Sequence, residues 1–517
     1  MSITPTYPGV YVTLVPSGNR TVTGVATSVT AFVGRALRGP VDTAVPIASF
    51  ADFVRAFGPL WRESGLGYSV RDFYLNGGGP AWVVRVAKNA KSAEMSFGGL
   101  TLVANGPGAW GNELGATVTH PAPKDAEDVA KAQGLPEPDA LFTLTLTLGT
   151  DEEVETFTNV TVADGPRRLD AVLAASRLAR VSGPMPATRP AESPLDSTGR
   201  RREPYPVTTQ GDDGDPPDEA SYVPTGPERA GLRALETVDL VNVIVIPPPT
   251  PGGQVPDGVW KAALDLAKRR RAFLLLDPPP GRNLADVADW STSGAELSGI
   301  DARNAAVYFP RLRESDPLRG GAVGEFAASG ALAGLYARTD ATRGVWKAPA
   351  GIEAGLVGAL GPSEALTDEE NGRLNPRGVN AIRSFPGAGT VSWGARTLRG
   401  SDQLSDDYKY IPVRRLALFL EESLYRGTQW VVFEPNDEPL WSQIRMSVGA
   451  FMQDLFRKGA FQGASPKDAY FVRCSSETTT QYDIDRGVVN IEVGFAPLKP
   501  AEFVLISIQQ KSAAPQA

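Results

Sequence analysis

The chain has 517 residues, of which 42% are hydrophobic and 21% are charged. This length and composition are typical of a globular protein with about three domains and a well-buried core. The formal net charge of −8 argues against an extended nucleic-acid surface, because neutralising phosphates requires clustered Lys and Arg in excess. We therefore expect no nucleic-acid partner.

The chain has one cysteine, Cys474, and one histidine, His120. These numbers exclude an internal disulfide and leave no His/Cys cluster for zinc. The amino terminus lacks the basic segment and long apolar stretch of a secretory signal, and the longest apolar runs, such as residues 272–276, are too short to span a bilayer. We expect folding in the cytoplasm and no direct membrane insertion.

The first twenty residues are punctuated by prolines around an alternating segment at 7–15. The central residues of this segment are Val10, Tyr11, Val12, Thr13 and Leu14. The two valines and the leucine fall on one face of an extended strand, and no hairpin partner follows in the sequence. Residues 1–20 are therefore predicted to form an extended arm.

An alternation of strand and helix follows the arm. The apolar runs are 29–34, 80–87, 241–249, 272–280 and 304–310. Helical patterns separate them, the first opened by Ser49 and closed by Gly58. This rhythm predicts a mainly parallel sheet covered on both faces, in a middle α/β domain made of 21–90 with 228–390.

Residues 91–227 interrupt that rhythm and predict an inserted, β-rich domain. Apolar residues and Thr alternate over 141–148, which is typical of a half-buried antiparallel strand. The distal part, 181–227, is rich in proline and carries an acidic turn at 211–215. Because this composition buries little apolar surface, we expect a long, mobile surface loop.

The carboxyl-terminal domain, predicted over 391–517, has two marked helices and a final strand. One helix starts near Pro412 and ends at Gly427, and the next runs from Asp437 to Gly459. The strand spans 502–509, with apolar side chains on both faces and no partner nearby in sequence. Its central residues are Val504, Leu505, Ile506, Ser507 and Ile508.

The candidate catalytic and ligand sites are weak. The glycine-rich segment 104–114 fails the spacing of phosphate-binding loops, and we predict a tight turn anchored by Trp110. The acidic turn at 211–215 lacks the remaining ligands of a calcium loop, and the only histidine lies next to Pro121. We predict no catalytic residue, no cofactor and no metal site, and thus no enzyme.

The chain resembles the contractile tail sheath proteins of phage tails and related contractile injection systems. The matching segments are TPTYPGVYV, VTAFVGRALRGPVDTAVPI, PGAWGN, RGVWKAPAG, NPRGVNAIRSFPGAGTVSWGARTL, YKYIPVRRLALFLEESL, GAFQG and KPAEFVLISIQQ. They span both ends and the middle of the chain in the family's order, with the weakest coverage at 115–240. The resemblance implies an α/β and α+β multidomain fold with a C-terminal inner α+β domain, a middle α/β domain, an inserted β-rich outer domain, and extended N- and C-terminal strands.

The resemblance also implies that the arm at 10–14 and the strand at 504–508 reach into neighbouring subunits and complete their sheets. Hinges are expected at Pro16 and Gly18 after the arm, and at Pro497 and Pro500 before the last strand. Contacts to an inner tube are expected at the polar end of the second C-terminal helix. The residues concerned are Asp454, Arg457 and Lys458. An equally weighted alternative is that these three residues only solvate the helix end.

The family's mechanism implies a virion component or phage tail-like particle. Subunits, in stacked hexameric rings, polymerise helically around an inner tube, with baseplate and cap proteins as further partners. The extended lattice stores energy, and its contraction drives the tube through a target envelope without a nucleotide. Assembly is expected in the cytoplasm, with release of the particle from the cell as a further expectation. The alternatives are an α/β ligand-binding protein or enzyme, and a non-contractile structural shell with a single lattice.

Overall fold

The computed structural model describes residues 21–135, 137–149, 153–200, 202–290 and 297–505. These residues divide into two compact units. The larger unit contains 28–342 and 348–411, apart from the gaps. The smaller one, called the C-terminal unit below, contains 21–27, 343–347 and 412–505.

An eight-stranded sheet forms the centre of the larger unit. Its strands, in spatial order, are β17 (Gly389–Ser392), β16 (Val379–Phe385), β12 (Ala305–Phe309), β11 (Phe273–Leu276), β10 (Val243–Val245), β1 (Thr30–Gly34), β3 (Ala81–Arg85) and β2 (Ala44–Ile47). The six inner strands run parallel, and β2 and β17 add antiparallel edges. The predicted mainly parallel sheet is confirmed, because runs buried on both faces have this arrangement.

Helices accompany this sheet. They are α1 (Phe50–Phe57), α2 (Leu66–Leu75), α6 (Asp257–Arg269), α7 (Leu284–Asp289), α8 (Ser329–Arg343) and α9 (Asp368–Leu374). Ser49 caps α1 by accepting a hydrogen bond from the backbone N–H of Asp52, and Gly58 ends it at φ +89°, as predicted. A small sheet of β13 (Leu312–Asp316), β14 (Ala322–Phe326) and β15 (Ala359–Pro362) was not predicted from the sequence.

The insertion has its own core and two three-stranded sheets. One contains β4 (Glu94–Phe97), β5 (Leu100–Ala104) and β9 (Ala179–Val181); the other contains β6 (Leu114–Thr119), β7 (Leu141–Leu148) and β8 (Glu153–Thr161). Its helices are α3 (Pro123–Ala132), α4 (Leu169–Leu173) and α5 (Glu219–Tyr222). β7 lies between two antiparallel partners, which confirms the half-buried strand predicted at 141–148.

The segment predicted as a mobile loop, 181–227, contains little regular structure but runs along the insertion. Its backbone forms bridges from Tyr205 to Ala116, from Thr209 to Glu94, and from Asp212 to Lys91. The glycine-rich segment opposite the acidic turn is a turn that feeds β6, and Trp110 is buried in it as expected. A side chain at Gly106, where φ is +130°, would meet the carbonyl oxygen of Gly39 at 2.4 Å.

The C-terminal unit consists of four helices and a two-stranded sheet. The helices are α10 (Ile411–Gly427), α11 (Glu438–Arg457), α12 (Pro466–Ala469) and α13 (Gln481–Asp485), and the strands are β18 (Tyr470–Arg473) and β19 (Glu492–Phe495). Its start differs from the predicted residue 391. Residues 391–411 belong to the larger unit instead, because β17 pairs with β16 and the backbone N–H of Arg396 donates to the buried Asn380.

Candidate assembly site

Two long helices support the C-terminal unit. Asp437 caps α11 by accepting a hydrogen bond from the backbone N–H of Leu440 at 3.2 Å, and Pro412 lies in the first turn of α10. Their apolar stripes meet in one core, which contains Leu416, Leu420, Ile444, Val448 and Met452. The two helices begin and end close to the predicted positions, because the apolar stripe and the capping residues of each helix indicate the same bounds.

The segment 21–27, which follows the predicted arm, lies along α10. Val22 is buried against Gly427, where an added Cβ would lie 2.7 Å from the valine methyl groups. The backbone N–H of Val25 donates to Ser423 Oγ at 3.2 Å, and Arg415 donates to the carbonyl of Thr27 at 2.9 Å. These contacts determine where the chain leaves α10 toward its amino terminus.

The sequence placed 21–27 and 343–347 in the middle domain, whereas both belong to the C-terminal unit. Val345 is buried in its core beside the partly buried Trp346. No local pattern identifies these partners, because the contacts of both segments are with residues far away in the sequence, 398 positions away for Val25 and Ser423. The one available signal is that both segments carry apolar residues outside any strand or helix pattern.

The two-stranded sheet packs one face on α11. Tyr470 donates from its hydroxyl to Gln453 Oε1 at 2.8 Å, and the rings of Phe461 and Phe495 lie about 6 Å apart. The opposite face carries Phe471, whose ring lies over Gly494 and under the guanidinium of Arg473. Within the described residues, β18 and β19 pair only with each other, so each keeps an unpaired edge.

The chain leaves the surface of the unit after residue 497. Gln462 donates its backbone N–H to the carbonyl of Ala496 at 2.9 Å, and Phe461 bridges to Pro497. No strand follows over 498–505. Val504 and Leu505 are 80% and 95% exposed, so two large apolar side chains of the predicted exchange strand have no cover within the described part of the chain.

The remaining linking residues lie outside the described residues. They are Val10, Tyr11, Val12, Thr13, Leu14, Ile506, Ser507 and Ile508, together with the predicted hinge residues Pro16 and Gly18. The other hinge residues, Pro497 and Pro500, flank the irregular segment that follows β19. The exchange and hinge assignments stay predictions.

The three predicted tube-contact residues lie on the exposed end of α11. Asp454 Oδ2 and Lys458 Nζ form an ion pair of 2.7 Å, with each side chain more than half exposed. Arg457, which directly precedes Lys458 in the sequence, is also exposed. Because the aspartate and lysine neutralise each other, the local charge of this helix end is that of Arg457.

Three acidic side chains near or on α10, the single cysteine and the single histidine all have structural contacts. Glu421 pairs with Arg414, Glu422 pairs with Arg426, and Asp406 pairs with Arg399. Cys474 is buried, and this burial raises the pKa of its thiol. His120 Nε2 lies 2.9 Å from the carbonyl oxygen of Pro190 in the insertion. In the described part of the chain, no group of three or more His, Cys, Asp and Glu could hold a metal ion.

Among the helices in the described ranges, none is both long enough and apolar enough to cross a membrane.

Two family models match the chain. Residues 259–398 match the phage tail sheath protein central domain, and residues 403–511 match the phage tail sheath C-terminal domain. The second match contains α10, α11 and the two-stranded sheet. The boundary between the two matches falls within 391–411, close to the start of the C-terminal unit.

Curated relatives carry the same description. A putative prophage major tail sheath protein of Pseudomonas aeruginosa (strain UCBPP-PA14) is 27% identical over 285 residues, which cover 53% of this chain and 67% of that protein. The tail sheath protein of Burkholderia phage BcepMu is 25% identical over 460 residues, covering 86% of each chain.

Solved structures share the fold over nearly the full length. The sheath of the extracellular contractile injection system PVC, in its contracted state, has a TM-score of 0.58 at 23% identity and covers 99% of both chains. The contracted helical sheath of the anti-feeding prophage has the same TM-score and identity, with 98% of this chain and 100% of that chain covered. A sheath tail protein from Desulfitobacterium hafniense has a TM-score of 0.58 at 14% identity, covering 90% and 93%. On the matched domains, the relatives and the shared fold, this chain carries the central and C-terminal domains of phage tail sheath proteins and is similar to tail sheath proteins over most of its length.

Proposed function

We propose that this chain is the structural subunit of a contractile sheath. Copies polymerise helically around an inner tube, and the sheath contracts to drive that tube through a target envelope. The observation that carries the proposal is the C-terminal unit. It ends in a two-stranded sheet with unpaired edges and continues into an exposed apolar tail, two features that a neighbouring copy can satisfy together.

Strand exchange is the proposed link between copies. The arm at 10–14 and the tail at 504–508 would add strands to the β18–β19 sheets of neighbours, with main-chain hydrogen bonds supplying affinity and alternate side chains supplying register. A head-to-tail exchange of this kind does not close between two copies. It therefore generates rings and helical cylinders, and we propose stacked rings, which the resemblance to tail sheaths implies are hexameric.

Contraction requires links that bend while the subunits stay folded. Pro497 and Pro500 bracket the irregular segment after β19, and Pro16 and Gly18 occupy the corresponding place after the arm. Each subunit would then have two packings, and a small free-energy difference per subunit is multiplied over the whole cylinder. The family is one of structural proteins, and this mechanism needs no nucleotide.

The proposed partners follow from this arrangement. The inner domain would contact the tube through Asp454, Arg457 and Lys458, and the insertion would face outward. Baseplate and cap proteins would end the cylinder. We further propose assembly in the cytoplasm, as part of a phage tail or a phage tail-like particle that the cell can release.

Negative-stain electron microscopy of the purified chain, expressed with and without its tube protein, tests the proposal. Hollow cylinders of two discrete diameters are expected, a wide, short form and a narrow, long form on the tube. A chain that stays monomeric with the tube present would contradict it. Cylinders of one diameter under every condition would support a fixed shell instead.

A further inference from the structure

Two carboxyl groups are buried together in the larger unit, where α2 packs against β13. Asp72 lies on α2 and Glu314 on β13, and their side chains are 3% and 2% exposed. Arg71 Nη2 lies 2.8 Å from Asp72 Oδ1 and 2.7 Å from Glu314 Oε2. The two acids therefore share one guanidinium.

The groups around Asp72 and Glu314 do not neutralise the second negative charge that the pair would carry if both acids were ionised. The other titratable groups at this contact are Tyr68 of α2, which donates to Asp316 of β13 at 3.0 Å, and Arg62, whose charge acts on that tyrosine. The neighbouring strands place Gly324 and Ala359 opposite Glu314. Among the described residues, no second cation forms an ion pair with either carboxyl group of the pair.

Two carboxylates beside one cation cannot both ionise cheaply in a buried site. Burial, with the nearby Asp72 adding to it, raises the pKa of Glu314 to about 8. Burial also raises the pKa of Asp72, against the opposing effect of Arg71. The pair thus retains a proton near neutral pH. Among the described residues, Asp72 Oδ2 is buried and makes no other hydrogen bond, so it can accept one from a protonated Glu314.

We propose that Asp72 and Glu314 share one proton and that this shared proton latches α2 to the β13–β15 sheet, so that the contact weakens as pH rises and its opening releases the proton to solvent. The pairing of β13 with β15 shifts register between Arg313 and Glu314, so the hydrogen-bonded ladder is irregular at Glu314. The outer strands also expose Val323 and Leu360, so little apolar packing fixes them from that side.

The pH dependence has a definite sign. The folded-state pKa of Glu314 lies above its ordinary value of 4.5. Between about pH 4.5 and about pH 8, the state in which α2 contacts β13 therefore binds more protons than the state in which this contact is open. The stability of the contact is therefore highest below this window, falls as pH rises through it, and is constant above it with respect to this group.

Hydrogen exchange of the full-length chain tests the latch. Amides of α2 and β13 are followed from pH 5 to pH 8, with the intrinsic pH dependence of exchange removed. The opening constant of the natural chain should rise by about tenfold per pH unit relative to that of Glu314→Gln, which keeps the hydrogen bond but cannot ionise. Glu325→Gln, an exposed acid on β14, is the matched control and should keep the natural slope.

Equal slopes for the natural chain and Glu314→Gln would overturn the proposal. If Glu314→Gln does not fold, Asp72→Asn takes its place, because removing the second acid leaves Arg71 to balance Glu314 and should make the slope shallower than in the natural chain. If neither variant folds, the natural chain decides alone. A rise restricted to α2 and β13 supports the latch, and an equal rise in β7 of the insertion contradicts it.

Discussion

Two glycines allow residues 21–27 to lie against α10 within the C-terminal unit. A Cβ at Gly427 would lie 2.7 Å from the methyl groups of Val22, and a Cβ at Gly24 would lie 2.9 Å from the ring of Phe419. Both distances are shorter than van der Waals contact, so neither position accepts a side chain without displacement. The path of residues 21–27 along α10 thus depends on the absence of single methyl groups.

Gly427→Ala should loosen residues 21–27. The added methyl group must push Val22 away from α10, at a cost of about 1–3 kcal/mol, and amide exchange of this segment should accelerate accordingly. Gly449→Ala on α11 is the matched control, because its Cβ meets nothing within 4 Å. That variant should gain up to about 1 kcal/mol of stability from helix propensity. Unchanged exchange in Gly427→Ala would refute this packing argument.

The single thiol should be unreactive in the folded chain. Cys474 is buried, and burial raises the pKa of its thiol, so little thiolate is present or accessible at neutral pH. A thiol-reactive dye should label the native protein much more slowly than the denatured one. Rapid, complete labelling of the native protein at pH 7 would show that the residue is exposed by local opening.

At the scale of elements, local sequence patterns predict the helices but not the distant segments that pack on them. α10 and α11 could be predicted because Pro412, Gly427 and Asp437 mark their ends and an apolar stripe runs between. The packing of residues 21–27 on α10 could not be predicted, because its hydrogen bonds join residues nearly 400 positions apart. For the same reason the buried pair of Asp72 and Glu314 looks like two ordinary surface acids in the sequence.

The tail should be needed for assembly and not for folding. Replacing both Val504 and Leu505 by Asp should change the thermal unfolding midpoint little, because both side chains are exposed in the single chain. It should abolish polymerisation measured by light scattering, since charges in an added strand face apolar neighbours. Val154→Asp, an equally apolar exposed site in the insertion, should polymerise normally. Normal cylinders from the tail variant would refute strand exchange through these residues.

The exposed end of α11 should contribute to tube binding through charge. Arg457→Glu should weaken co-sedimentation of the sheath with its tube, and the effect should shrink at high salt, where exposed charges are screened. Lys467→Glu on α12 makes the same change of charge elsewhere in the unit and should bind normally. Equal binding by both variants would favour the alternative in which this helix end is only solvated.

At the scale of the whole molecule, the central sheet was predictable because its inner strands are continuous apolar runs. Strands 29–34 and 241–249, for example, become the neighbours β1 and β10. The β13–β15 sheet was not predictable, since Glu314 and Asp316 give β13 the polar appearance of a loop while both are buried. The bounds of the two units also differ from the predicted domain bounds, because 21–27, 343–347 and 391–411 pack against distant parts of the chain.

A helical reconstruction of the assembled cylinder by cryo-electron microscopy would reveal whether copies are linked by strand exchange. We expect residues 10–14 and 504–508 of two neighbouring copies to extend the β18–β19 sheet of a third, in both the extended and the contracted lattice. A cylinder in which these residues stay on their own subunit, or in which β18–β19 remains two-stranded, would contradict this expectation.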